Sequence, residues 1–167
     1  GSTCEDLGAI AVNNRNHAVN NEHAIARDAI TLDDYLAGRW VVEPFRVFDC
    51  AYEVDGAVAL VLTSAERATD LAHPPVYPIG AAEGTGAGGM PDLWPDQTRM
   101  YSSLVAPKLW NRTGLGPADM DIACMYDCFT YTGMATMEDY GFCGKCEVGE
   151  FFAQGRDTYG GDVVVVG

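Results

Sequence analysis

The chain has 167 residues, of which 48% are hydrophobic and 20% are charged, and this length and composition are typical of a globular protein of about one domain. Ten Lys and Arg residues against 24 Asp and Glu residues give a formal net charge of −14, which argues against binding to nucleic-acid backbone or to an anionic membrane surface. The longest apolar run, residues 57–62, is too short for the roughly 18 residues of a membrane span.

Two capped helices are predicted in the first quarter of the chain. Thr3 and Thr31 each precede an Asp by three residues, in a pattern that resembles a capping box. The apolar spacing that follows the first cap predicts an amphipathic helix over residues 5–18. The second cap predicts a short helix that ends near Gly38, and the polar segment 20–28 between them is predicted to be a loop.

The middle of the chain is predicted to contain three strands and one helix. Residues 45–51 form the first candidate strand. Residues 56–63 form a nearly continuous apolar run, which is typical of a strand covered on both faces. A helix over 64–71 and a second apolar strand over 76–82 follow. Residues 83–96 are rich in glycine and are predicted to be a long loop, a kind of segment that is often functional.

The last part of the chain alternates between helices and strands. The spacing predicts a helix over 98–111, a short buried strand over 120–125, a helix over 129–140 and a final strand over 163–166. Alternation of strands, helices and glycine-rich turns predicts an α/β protein with helices on the faces of a sheet.

Six cysteines are few for a chain of this length, so we predict a reducing, cytoplasmic location rather than a disulfide framework. Cys143 and Cys146 form a CxxC pair, and Cys124 and Cys128 lie upstream. Four thiolates are able to hold zinc. Because Cys124 and Cys128 are predicted on a buried strand and its following turn rather than on a second knuckle, buried and unreactive thiols are the favoured interpretation, and no metal site is predicted.

Residues 126–130 begin where a predicted strand ends and a helix starts, and open α/β sheets bind their ligands at that edge. A tyrosine there, Tyr126, is able to donate a hydrogen bond to a developing oxyanion, or to act as a general base if its pKa falls. The alternative is structural, with Asp127 capping the helix and Tyr126 filling core. The residues alone leave both interpretations open.

Four motifs resemble those of the thiolase superfamily, in particular its sterol-carrier and lipid-transfer-protein branch. They are Asp-Gly-Ala-Val-Ala at 55–59, Gly-Leu-x-Pro-x-Asp-x-Asp-Ile at 114–122, Tyr-Asp-Cys-Phe-Thr at 126–130 and Glu-Asp-Tyr-Gly-Phe-Cys at 138–143. They occur in the family's order and cover most of the chain. One departure is Lys-Cys-Glu-Val-Gly at 145–149, where the family usually has Lys-Gly-Glu-Gly-Gly.

The resemblance implies an α/β fold with the layered αβαβα arrangement of thiolases, of which only part is present in this chain. Residues 1–73 are then expected to form the end of the N-terminal half-domain with its loop region. Residues 74–167 are expected to form most of the C-terminal half-domain. The family also implies a homodimer.

The same resemblance implies an activity and a set of site residues. True thiolases carry a His at the place of Tyr126, whereas a Tyr there resembles the bacterial thiolase-like aldolases of steroid side-chain degradation, which cleave a β-hydroxyacyl-CoA by retro-aldol chemistry. Tyr126 is the leading catalytic candidate and Tyr101 the second. Asp127, Cys128 and Phe129 are the candidate substrate-binding residues. Coenzyme A belongs to the substrate, and no separate cofactor is expected.

Two other functions stay open at the level of sequence. One is an acyl-CoA thiolase or acyltransferase whose nucleophilic Cys lies outside this chain. The other is a non-catalytic module that binds lipid or a partner. For the aldolase, the resemblance also implies a small partner protein with an OB fold that contains zinc. The net charge and the short apolar runs predict no nucleic-acid partner and no membrane span.

Overall fold

The computed structural model describes residues 2–85 and 96–166, so most of the predicted glycine-rich loop lies outside the described residues. Helix α1, Cys4–Val19, and helix α2, Leu32–Ala37, confirm the two predicted helices. At the first cap, the Thr3 N–H donates to Asp6 Oδ2 (2.7 Å) and the Asp6 N–H donates to Thr3 Oγ1 (3.4 Å). Thr31 makes the same reciprocal pair at α2. Each cap fixes where its helix begins because it satisfies N–H groups that the first turn leaves unpaired.

A small antiparallel hairpin follows α2. Strand β1, Trp40–Val42, pairs with strand β2, Phe45–Arg46, and a 3-10 turn, Val47–Asp49, comes next. The longer strand predicted from Phe45 is therefore wrong beyond Arg46. The reason is that the Asp49 carboxylate accepts the Arg46 N–H at 2.6 Å, which bends the backbone into a turn.

The two apolar strands predicted over 56–63 and 76–82 are absent. Both segments lack regular secondary structure, and their apolar side chains face solvent: Val58 is 91% exposed, Leu60 is 84% and Val76 is 93%. A strand is held by hydrogen bonds to a neighbouring strand. Within residues 2–85 and 96–166, the sheets contain only the β1–β2 pair and one further pair, so neither apolar segment has a strand to pair with.

The remaining elements occupy the second part of the chain. They are helix α3 (Ala65–Ala68), helix α4 (Ser102–Thr113), strand β3 (Ile122–Cys124), helix α5 (Thr130–Tyr140), helix α6 (Val148–Ala153) and strand β4 (Val164–Val166). The structure confirms the strands predicted over 120–125 and 163–166, which are observed as β3 and β4, and the helix predicted over 129–140, which is observed as α5. The helix expected over 64–71 is shorter, the one expected from Thr98 begins at Ser102, and α6 was not predicted.

Strands β3 and β4 pair in parallel, with Ile122 opposite Val164 and Cys124 opposite Val166. Successive side chains of a strand point to opposite faces. Ala123 is accordingly buried while Ile122 and Cys124 are exposed. The strand predicted here as buried is therefore buried on one face only.

One hydrophobic core joins both ends of the chain. It is lined by apolar side chains from α1, α2, β3, α5, α6, β4 and the residue just before β4, namely Leu7, Ile10, Ala11, Tyr35, Ala123, Met134, Met137, Val148, Phe151, Phe152, Val163 and Val165. Residues from both expected half-domain segments contribute to this core, and the boundary at residue 73 stays a prediction. No helix among the described residues is long and apolar enough to cross a membrane.

Candidate active site

A cavity of about 500 Å³ lies between α4, β3 and α5, and both predicted catalytic tyrosines line it. Tyr101 is the residue just before α4, and Tyr126 lies in the segment just after β3. Much of the remaining wall is apolar, with Val105, Leu109, Trp110, Met120, Ile122 and Phe142. The structure thus brings together two phenols that are 25 positions apart in the numbering, on a mostly hydrophobic cavity.

Tyr126 lies at the C-terminal end of β3, where the sequence predicts a ligand site. The Met125 N–H donates to the Val166 carbonyl (2.9 Å) and so extends the β3–β4 pairing to the residue before the tyrosine. The Tyr126 side chain is 82% exposed. Tyr126 therefore does not fill the core formed by the described residues.

Cys128 acts on the Tyr126 hydroxyl, and Thr132 lines the same cavity as Tyr126. Hydrogen bonding to Cys128 is the largest influence on Tyr126, and together with nearby negative charge it raises the pKa of that tyrosine above its usual value near 10. Cys128 Sγ lies 3.4 Å from Thr132 Oγ1. A phenol whose pKa is raised stays protonated at neutral pH, so Tyr126 is suited to donating a hydrogen bond or a proton rather than to acting as a base.

Tyr101 is held by the first turn of α4. Its carbonyl accepts from the N–H groups of Leu104 (2.9 Å) and Val105 (3.2 Å). Its hydroxyl oxygen is buried, in contrast to the exposed ring of Tyr126. The cavity therefore has one phenol set into its wall and one at its open side.

Asp127 does not line this cavity, although it follows Tyr126 directly. Asn14 Nδ2 of α1 donates to Asp127 Oδ2 at 2.5 Å, and burial raises the pKa of the Asp127 carboxyl. Asp127 lines a different cavity, of about 460 Å³, together with Cys50 and Thr130. The role of Asp127 in substrate binding stays a prediction.

Phe129 also lies apart from the two tyrosines. Its ring centroid is 5.8 Å from that of Phe45 on β2. Helix α5 begins just after Phe129, whose N–H donates to Thr132 Oγ1 at 3.0 Å. The helix is therefore capped through Thr132 and not through Asp127, which was the structural alternative. Thr132, four residues after Cys128, is a cavity residue that sequence reasoning missed.

The six cysteines divide into four partly buried thiols and two exposed ones. Burial raises the pKa of Cys143 to about 12, so this thiol is unreactive near neutral pH. Cys124 and Cys146 are exposed, and the prediction of buried thiols is wrong for these two. Cys124 is exposed because it points to the open face of β3. Across residues 2–85 and 96–166, no group of three His, Cys, Asp or Glu side chains is placed to hold a metal ion.

Comparison with known proteins gives a consistent result. The family described as Thiolase C-terminal domain-like matches residues 90–166. A solved structure named Ltp2-ChsH2(DUF35) aldolase superposes with a TM-score of 0.92 at 39% identity, covering 99% of this chain and 44% of that one. The chain is similar to members of the thiolase superfamily over nearly its whole length. The predicted thiolase-like fold is thereby confirmed, with part of it present here.

Two curated relatives are similar to nearly the whole chain. The 17-hydroxy-3-oxo-4-pregnene-20-carboxyl-CoA lyase of Mycobacterium tuberculosis (strain ATCC 25618 / H37Rv) is 41% identical over 96% of this chain and 43% of its own length. The steroid side-chain-cleaving aldolase of Thermomonospora curvata is 40% identical over 96% of this chain and 42% of its own length. The predicted resemblance to the steroid side-chain aldolases is confirmed. The chain spans less than half the length of these relatives.

Proposed function

We propose that the protein containing this thiolase-like chain is an aldolase, a carbon–carbon lyase that cleaves a β-hydroxyacyl-CoA. The observation that carries the proposal is that Tyr101 and Tyr126 line one cavity at the C-terminal end of β3. Two relatives at about 40% identity are named as a lyase and an aldolase of steroid side chains. A CoA thioester of a steroid side chain is therefore the proposed substrate.

Retro-aldol cleavage makes three chemical demands on such a site. A base removes the β-hydroxyl proton, the bond between the α- and β-carbons breaks with its electron pair moving into the thioester, and an acid reprotonates the α-carbon. The products are a ketone and a shorter acyl-CoA, and no acyl-enzyme forms. Tyr126 is proposed to donate a hydrogen bond to the thioester oxygen, where negative charge develops, because its raised pKa keeps the phenol protonated.

The lining of the cavity supports an apolar substrate. Aliphatic and aromatic side chains from α4, β3 and the turn after α5 form most of its wall, and apolar walls with a few polar groups are typical of sites for hydrophobic ligands. Coenzyme A enters as part of the substrate, so the proposed reaction needs no separate cofactor. Tyr101 is proposed as a second catalytic residue on the opposite wall.

The proposal extends to the assembly. A homodimer and a small zinc-containing OB-fold partner are proposed, together with a cytoplasmic location. In support, the solved structure that resembles this chain carries two protein names, Ltp2 and ChsH2(DUF35). Cysteine content favours a reducing compartment.

The test is a Tyr126→Phe substitution in the full-length protein with its partner, assayed for release of the 17-ketone from 17-hydroxy-3-oxo-4-pregnene-20-carboxyl-CoA. We expect kcat to fall about 100-fold or more while KM changes little, because an oxyanion donor is worth about 10²–10³ in rate. Tyr159→Phe is the matched control, since Tyr159 is exposed and does not line this cavity. Normal turnover by Tyr126→Phe would contradict the role given to Tyr126.

Thiol labelling and acyl-CoA binding experiments on the full-length protein distinguish the two other functions. If iodoacetamide labels a Cys of the full-length protein and an acyl-CoA protects it, a thiolase that uses a nucleophile outside this chain replaces the aldolase. Binding of acyl-CoA without cleavage of either β-hydroxyacyl-CoA or β-ketoacyl-CoA indicates a lipid- or partner-binding module.

A further inference from the structure

The turn that carries Tyr101 is held by a carboxylate from another helix. Asp139, near the C-terminal end of α5, accepts the Met100 N–H and the Ser102 hydroxyl on the same oxygen, Oδ2, at 2.8 Å each. Met100 and Ser102 are the residues on either side of Tyr101. A single oxygen atom therefore fixes the chain immediately before and after the tyrosine.

Lys145 holds the same carboxylate from its other side. Its ammonium lies 2.8 Å from Asp139 Oδ1 and 3.3 Å from Glu138 Oε2. It also donates to the Thr98 carbonyl at 2.6 Å, three residues before Tyr101. The ion pair thus reaches the Tyr101 turn through the lysine as well as through the aspartate.

The Asp139 carboxylate is buried, and its charge and both of its oxygens are satisfied by contacts. Its side chain is only 1% exposed, and a buried carboxylate is costly unless a cation and hydrogen-bond donors satisfy it. Asp139 has all of these: one ammonium on Oδ1, and one N–H and one hydroxyl on Oδ2. Rotation of the carboxylate would break contacts on both oxygens, so the turn and α5 move together.

We propose that Asp139, braced by Lys145, is a positioning residue that fixes Tyr101 on the wall of the cavity. This inference rests on the proposed function, since it assigns Asp139 a part in the lyase reaction. A donor acts efficiently only when it is held close to the geometry of the reacting group, and a displacement of about 1 Å can cost about 100-fold in rate. Asp139 does not itself line the cavity.

Two features distinguish this arrangement from an ordinary stabilising ion pair. The neighbouring carboxylate, Glu138, accepts the Cys146 N–H (2.8 Å) instead of any group of α4. The Arg156–Asp162 pair, with a contact of 2.6 Å, stabilises the turn before β4 and lies away from both tyrosines. Asp162, whose side chain is 56% exposed, is therefore a surface control: an aspartate paired with a cation but without contact to the Tyr101 turn.

The experiment compares Asp139→Asn, Ser102→Ala and Asp162→Asn in the full-length protein with its partner. Because removing a buried charge can unfold a protein, Ser102→Ala serves as the second variant, since it removes one contact and leaves the ion pair intact. Two readouts are taken: kcat and KM with the steroid CoA thioester, and the 19F resonance of 3-fluorotyrosine placed at position 101. The thermal unfolding midpoint reports on general damage.

We expect kcat to fall about 100-fold in Asp139→Asn and about tenfold in Ser102→Ala, with KM within about threefold, because misplacement of Tyr101 affects the chemical step. The 19F resonance should move in both variants and stay fixed in Asp162→Asn. Unchanged kcat and an unmoved resonance in Ser102→Ala and in folded Asp139→Asn would overturn the inference. If the unmodified protein lacks lyase activity, the proposed function fails, and the 19F resonance alone decides whether Asp139 positions Tyr101.

Discussion

The Tyr35 hydroxyl lies 2.9 Å from both oxygens of the Asp49 carboxylate, and both side chains are fully buried. The same carboxylate accepts the Arg46 N–H (2.6 Å) and the Thr130 hydroxyl (2.5 Å). Helix α2, the turn after β2 and the first turn of α5 therefore meet at one carboxylate. Burial and the neighbouring Asp49 carboxylate raise the pKa of Tyr35, so its phenol remains a hydrogen-bond donor.

Removing this donor should destabilise the protein. In Tyr35→Phe, one hydrogen-bond donor to the buried Asp49 carboxylate is lost, and we expect the free energy of unfolding to fall by about 1–3 kcal/mol. Urea denaturation of the full-length protein measures the change. Tyr159→Phe, at an exposed tyrosine, is the control and should change the free energy of unfolding by less than about 0.5 kcal/mol. Equal denaturation midpoints for Tyr35→Phe and the unmodified protein would contradict this expectation.

Asp157 makes the free energy of unfolding of the protein depend on pH. It lies between α6 and β4, is fully buried, and neither carboxylate oxygen has a hydrogen-bond partner among the described residues. Burial raises the pKa of Asp157 from 3.8 to about 6. The folded state therefore binds more protons than the unfolded state within this range, and the Asp157 contribution to stability falls as the pH rises from about 4 to above 6.

Asp157→Asn removes this cost of ionisation. We expect the variant to be more stable than the unmodified protein at pH 7, by roughly 1–3 kcal/mol, and to lose that advantage near pH 4, where the carboxyl is protonated in both states. Denaturation at the two pH values measures the difference. Asp121→Asn, at an exposed carboxylate, should give no stabilisation at pH 7. The expectation is contradicted if the stability of Asp157→Asn relative to the unmodified protein is lower at pH 7 than at pH 4.

Cys146 occupies a backbone conformation that favours glycine. Its φ angle is +66°, and the left-handed region costs a residue with a Cβ atom about 1–2 kcal/mol. Cys146→Gly should therefore raise the free energy of unfolding by about 0.5–1 kcal/mol, while its N–H continues to donate to Glu138 (2.8 Å). Chemical denaturation tests this, with Cys124→Gly in β3 as the control that should destabilise. A loss of stability in both variants would show that the Cys146 side chain outweighs the backbone strain.

The elements that depend on local chemistry were predictable from sequence. Thr3 and Thr31 mark the starts of α1 and α2 because a cap acts within four residues of chain. The segment 56–63 was not predictable in this way, since its apolar run is typical of a buried strand while a strand forms only where a neighbour pairs with it. The 3-10 turn after β2 depends on Asp49, whose partners Tyr35 and Thr130 are remote in sequence.

In the candidate site too, the features that depend on local sequence were predictable and those that depend on remote residues were not. The position of Tyr126 at a strand end follows from the strand–helix pattern, and the structure places it there. The family resemblance grouped Asp127 with Tyr126 in one motif, but Asp127 lines a different cavity and accepts from Asn14 of α1, a contact that no local pattern indicates. Asp139 is 37 positions from Ser102, and no local pattern connects residues at such a separation.

The core shared by the two ends of the chain has a consequence for how the protein folds. Asn13 of α1 donates to the Val165 carbonyl of β4 (3.5 Å) across 152 positions, and α1 also packs against α5 and α6. Contacts between remote residues must overcome the entropy of closing a long loop, so they slow folding. Helix α1 is synthesised before β4, so the core that Leu7 and Ile10 share with Val165 is completed only after β4 has been synthesised. Until β4 is made, the apolar face of α1 lacks these partners and is open to chaperones and to aggregation.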